Sequence, residues 1–171
     1  MTLQKLGDFT KIAVLVAFGL ILFLFESAIP RPLPWLKPGL ANLVTLITLY
    51  LYGFRPALLV VTLRVVIAGF LLGTFGNPAF VFAFTGGLGA TLVMGTLIRC
   101  CRNVFSVIGV SIVGAFVHNL IQVVLAAQFI VSSLQALYLL PIMLLSALFS
   151  GFLVGLFAHY SIRKIEQIGI A

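Results

Sequence analysis

The sequence predicts an all-α, polytopic membrane protein built as a bundle of six transmembrane helices. Apolar residues make up 63% of the 171-residue chain. Charged residues are only 8%, against roughly 25% in soluble domains. The apolar residues gather in six runs parted by short turn-forming or basic stretches, and a run of about 20 is the length that crosses a bilayer. A soluble globule has no use for so much apolar surface, and a disordered chain needs low hydrophobicity with high charge.

The first span is expected over 12–29, after Lys5 and Lys11. It differs from a secretory leader because five more spans follow and Pro30-Arg31-Pro32 is a poor cleavage context. Residues 30–38 hold four prolines, so they cannot be helix interior and read as a stiff extended loop, with Trp35 suited to the membrane interface. A short second span covers 39–52. Gly53 and Pro56 bracket a tight turn containing Arg55, and the third span, 57–72, carries Arg64. Turn signals at 73–78 lead to the fourth span, 79–98, with Gly86, Gly87 and Gly89. A polar turn at 99–104 precedes the fifth span, 105–130. A second short polar turn at 131–136 precedes the sixth, 136–162, with Pro141 in its first turns. The tail from 163 to 171 is short, and residues 1–171 form a single transmembrane domain.

Six spans put both termini on one side. With the N-terminus inside, seven of the ten Lys/Arg fall in cytoplasmic segments, two (Arg31 and Lys37) outside, and Arg64 within a span. That asymmetry predicts cytoplasmic termini. The net charge of +7 therefore reads as orientation, and without basic and aromatic residues interleaved on a polar surface nucleic acid is not an expected partner. The two cysteines, Cys100 and Cys101, are adjacent and lack metal-ligand spacing. They read as reduced thiols near a helix end.

Polar residues inside spans are the informative ones, because each is costly in lipid unless paired or hydrated. Arg64 lies eight residues past Pro56, about 12 Å along its helix. It is either a structural pair or snorkelling residue, or an anion contact in a polar cavity. Glu26 is the one acid placed inside a span; it either fixes the following loop through an ion pair or binds ligand. His118, Asn119 and Gln122 are spaced to share one face of the fifth helix, serving a cavity or interhelical hydrogen bonds. Asn42 opens the second span, and Thr74 and Asn77 lie in the external turn after the third. With Lys37, these groups favour the outer half, which predicts an outward-opening pocket with the 30–38 loop as its lid. Small residues recur four apart at Ala13 and Ala17, at Gly87, Thr91 and Gly95, and at Ala147, Gly151 and Gly155. Such stripes let helices approach closely, and the first could also dock a partner subunit.

No phosphate-binding loop and no Asp-rich magnesium motif occur in the chain. No Ser/His/Asp set stands out, and His159 reads as an interfacial residue. The expectation is a protein that is not an enzyme, needs no cofactor and cannot energise itself.

The stretch Phe25-Glu26-Ser27-Ala28-Ile29-Pro30, followed by Pro32-Leu33-Pro34-Trp35-Leu36-Lys37-Pro38-Gly39-Leu40-Ala41-Asn42, resembles the hallmark of the Gx transporter family. That family is often labelled heptaprenyl diphosphate synthase component I. Leu63-Arg64-Val65, Gly73-Thr74-Phe75, Gly86-Gly87-Leu88 and the run from Ser106 to His118-Asn119 extend the likeness over nearly the whole chain. Where the family pattern reads His-Asn-x-Gly-Gln, this chain has Ile121 before Gln122. The label implies a non-catalytic partner of a prenyl synthase. The family is also similar to the S components of energy-coupling factor transporters, six-helix vitamin-binding subunits of the bacterial inner membrane. That likeness implies a small-molecule ligand at Glu26, Lys37, Asn42, Arg64, Asn77, His118, Asn119 and Gln122. It also implies ATPase and coupling subunits docking at Ala13 and Ala17. Association of family members with membrane flavoproteins implies the alternative, a structural subunit of a quinone-synthesis or electron-transfer complex.

Overall fold

A computed structural model of the chain describes residues 3–28, 39–101, 103–131 and 138–169. Every regular element among them is helical: α1 (Leu3–Ala28), α2 (Ala41–Leu51), α3 (Phe54–Leu71), α4 (Pro78–Cys100), α5 (Val107–Ala126), a π-helical turn over Ala127–Val131, and α6 (Leu140–Ile168). Five of the helices are long and apolar enough to cross a membrane. Large apolar side chains such as Phe25, Phe70 and Phe149 stand more than half exposed on their outer faces. On a soluble protein this would be an aggregating surface; here it is the surface lipid solvates.

The second helix differs from the expected span. α2 has 11 residues, about 16 Å at 1.5 Å per residue, well short of the ~30 Å hydrocarbon layer. It packs against α1, α3, α4 and α6, while α4, α5 and α6 pack in series and α1 lies on α3. α2 is thus an interior helix, and Ala41, Val44, Thr45, Leu46, Ile47, Thr48 and Leu49 are buried. Thr48 donates its hydroxyl proton to the Val44 carbonyl at 2.7 Å, so this polar group is satisfied within its own helix.

Helix ends follow local chemistry. Gly53 has φ of 89°, a conformation that suits glycine, and it ends the α2 turn. Helix α3 then starts at Phe54 rather than at 57, with Pro56 inside its first turn, where a missing N–H costs nothing. Pro78 and Pro141 likewise sit in the first turns of α4 and α6. The side chains of Asn77 and Ser106 cap α4 and α5 by accepting from Phe80 N and Gly109 N. The helix that begins at Leu3 extends well before the apolar run, and α6 continues to Ile168 through Arg163, Lys164 and Glu166. A polar helix end that leaves the bilayer need not unwind, which is why hydropathy alone placed the start of α1 too late and the end of α6 too early. The fifth helix leaves α geometry at Ala127, short of the expected 130. The predicted turn at 131–136 and the proline-rich loop at 30–38 fall almost wholly outside the described residues.

Glycine sets the closest helix contact. A Cβ on Gly151 would stand 2.7 Å from Ile112 Cα, and one on Gly155 2.7 Å from Ile108 Cα. The stripe Ala147, Gly151, Gly155 is therefore the seam along which α6 lies on α5. Ala13 and Ala17, by contrast, are exposed on the outer face of α1. Basic side chains gather at the end where α1 and α3 begin and α2, α4 and α6 finish. There Lys11 Nζ lies 5.6 Å from the Tyr52 ring centroid, and Arg55, Arg99, Arg163 and Lys164 are exposed.

Candidate functional site

Arg64 stands ten residues past the start of α3, about 15 Å along it, and is 2% exposed. It fits there because two neighbouring helices present no side chain. A Cβ on Gly19 of α1 would lie 3.2 Å from Arg64 Cδ, and one on Gly87 of α4 would lie 3.9 Å from Arg64 Nη2. The guanidinium carbon sits 5.9 Å from the centre of the Phe23 ring, within cation–π range. Nη2 donates to Asn42 Oδ1 at 3.5 Å, the long limit of such a bond. Nε and Nη1 are buried and find no hydrogen-bond acceptor among the described residues.

The natural counter-ion is engaged elsewhere. Glu26, near the end of α1 and 1% exposed, acts on Arg64 through space, but no ion pair joins them among the described residues. Its carboxylate accepts hydrogen bonds from the backbone N–H groups of Gly39 and of Leu40, the latter at 3.2 Å. The amides at a helix start lack intrahelical partners and carry the positive end of the helix dipole. Glu26 therefore anchors the entry to α2, and the Arg64 cation keeps two donors unsatisfied in the bundle interior.

The three polar residues of α5 do not act as one face. His118 is half-buried against α4, its ring 3.0 Å from where a Cβ on Gly86 would be. Asn119 points to α6, its Nδ2 donating to the Met143 carbonyl at 2.8 Å. Adjacent residues are turned by about 100° on a helix, so the shared-face expectation, drawn from three- and four-residue spacing, splits between two neighbours. Gln122 is 1% exposed, and its Oε1 has no donor among the described residues.

Between α2, α4, α5 and α6 lies a narrow cavity that touches Asn42, Leu46, Met94, Ser111, Gly114 and Ser150. Its free volume of about 10 Å3 holds roughly one water. Asn42 thus stands between Arg64 on one side and this slot on the other. Ser111 and Ser150 line this slot, and the buried Thr45 hydroxyl on α2 finds no hydrogen-bond partner among the described residues. Sequence reasoning passed over them, although a hydroxyl inside a span was the available signal.

The structure brings Glu26, Asn42 and Arg64 to one region, where α1 ends and α2 begins, and adds Gly19, Phe23 and Gly87 to it. Asn77 is exposed at the start of α4 and serves as its cap. Lys37 and the lid expected over 30–38 lie outside the described residues. Among those residues no three His, Cys, Asp or Glu side chains cluster as a metal site would. A family model described as heptaprenyl diphosphate synthase component I matches residues 15–161. No curated protein and no solved structure matches the chain.

Proposed function

The chain belongs to the heptaprenyl diphosphate synthase component I family, and from that membership we propose that it is a non-catalytic membrane subunit that binds a small anionic molecule at Arg64. One observation carries this reading: a buried guanidinium whose Nε and Nη1 find no acceptor among the described residues, beside a carboxylate already held by two backbone amides. Such a charge is costly in a bundle interior. A carboxylate or phosphate satisfies it with two parallel hydrogen bonds. Asn42, His118 and Gln122 supply further polar contacts in this proposal.

The ligand enters from the end where Glu26 meets Gly39. In this proposal that end is the outer side of a bacterial inner membrane, with both termini cytoplasmic, a reading the distribution of basic residues supports. Energy comes from separate subunits, an ATPase and a coupling protein, docked at the exposed Ala13 and Ala17. The test is native mass spectrometry of protein purified gently from its own membranes. Wild type retains a small anionic molecule, Arg64→Lys retains less of it, and Arg64→Gln retains none. Equal retention by Arg64→Gln defeats the assignment.

A second reading is favoured by the Asn119 bond to Met143 and by the one-water cavity beside Asn42. In that reading the interior polar groups hold the bundle together for assembly with a prenyl synthase or a flavoprotein. Partner subunits that co-isolate without any small molecule decide for it.

A further inference from the structure

A second cavity lies at the opposite, basic end of the bundle. It is a cleft of about 320 Å3 between the end of α2, the start of α3 and the end of α4. Leu49, Phe54 and Ile98 form apolar walls, and Arg99 stands on its rim. Among the described residues no acidic side chain lines it. The Thr96 hydroxyl on its wall is satisfied within its own helix, donating to Leu92 O at 2.9 Å. Arg99 is exposed in the last turn of α4, where it also complements the helix dipole. Arg55 is exposed in the first turn of α3. That turn follows Gly53 and receives no side-chain cap; Pro56 has no N–H and Ala57 N donates to Gly53 O, so the amides of Phe54 and Arg55 add the positive potential at this end. The cleft is therefore amphipathic in a defined sense: apolar depth within the spans and positive charge at their margin.

We propose that this cleft binds an anionic phospholipid from the adjoining leaflet. The phosphate rests against Arg99 and the start of α3, and one acyl chain lies on Leu49, Phe54 and Ile98. A soluble anion makes no use of the apolar walls, and a zwitterionic lipid makes little use of the charge. Basic pockets between transmembrane helices recognise anionic headgroups in this way. The site is separate from Arg64 and stands whether or not Arg64 binds a ligand.

The test places the full chain in nanodiscs of equal phosphatidylglycerol and phosphatidylcholine and counts retained lipid by native mass spectrometry. Phosphatidylglycerol is retained in preference. Arg99→Gln lowers that preference roughly fivefold, the effect of one surface charge on an anionic lipid. Arg163→Gln, exposed at the same end but outside the cleft, leaves it unchanged. Excess glycerol 3-phosphate does not displace the lipid. Three results overturn the proposal: equal retention of the two lipids, an equal effect of Arg163→Gln, or displacement by glycerol 3-phosphate. Unchanged helical circular dichroism and melting of Arg99→Gln shows that the variant is folded.

Discussion

Arg64 Nη2 meets Asn42 Oδ1 at 3.5 Å, and this long bond to a neutral amide is the one side-chain hydrogen bond the guanidinium makes among the described residues. A buried cation held so lightly weakens the fold that contains it.

Arg64→Leu is therefore expected to stabilise the protein while abolishing anion retention. Glu26 keeps its two amide donors, so the substitution leaves no newly orphaned carboxylate. The expected gain is about 1–2 kcal/mol, read as a higher midpoint of thermal unfolding in detergent. A loss of stability would assign Arg64 a structural partner instead.

Glu26→Gln tests the anchoring of α2. Both backbone amides donate to the one oxygen Oε1, so a Gln carbonyl can still accept them, but the side chain loses its charge and brings an –NH2 group in place of the second carboxylate oxygen. A cost of about 1–3 kcal/mol is expected. Hydrogen exchange should accelerate first at Gly39, Leu40 and Ala41, ahead of any change in α5 or α6. Uniform acceleration across the bundle would contradict a local role.

Gly155→Ala probes the seam between α5 and α6. The new Cβ would sit 2.7 Å from Ile108 Cα, and backbone cannot move aside as a flexible side chain does. About 1–3 kcal/mol of destabilisation follows from such overpacking. Gly7→Ala is the control: a Cβ there meets nothing within 4 Å, so stability holds or rises by up to ~1 kcal/mol through helix propensity.

Ala17→Trp separates folding from assembly. Ala17 is exposed, so the isolated subunit should melt within about 0.5 kcal/mol of wild type. If α1 docks a coupling protein along Ala13 and Ala17, yield of the co-isolated partner falls sharply. An undiminished yield moves the docking face elsewhere.

The helical class was legible because apolar run length is a direct physical requirement of the bilayer. Arg64 and Glu26 were legible as residues of interest, because a charge inside an apolar run is conspicuous. What held Glu26 was not legible. Its partners are main-chain amides 13 and 14 residues onward, and no side-chain pattern encodes them. The split between His118 and Asn119 was hidden for a related reason: spacing tells which residues share a helix face, but the choice of neighbour depends on tertiary packing. The interior position of α2 had a signal in its length. A helix too short for the bilayer must be sheltered by others, and that inference was available from the span 39–52 itself.

The enclosure of α2 by α1, α3, α4 and α6 bears on how the bundle comes into being. Synthesis delivers α2 before α6, so one flank of the short helix stays bare until α6 arrives. Lipid is a poor substitute for that missing neighbour, since an 11-residue helix is too short to cross the hydrocarbon layer on its own. Late arrival of α6 along its glycine seam on α5 is thus the step that seals the centre, and a chain stopped before Leu140 would be left with a core that opens sideways.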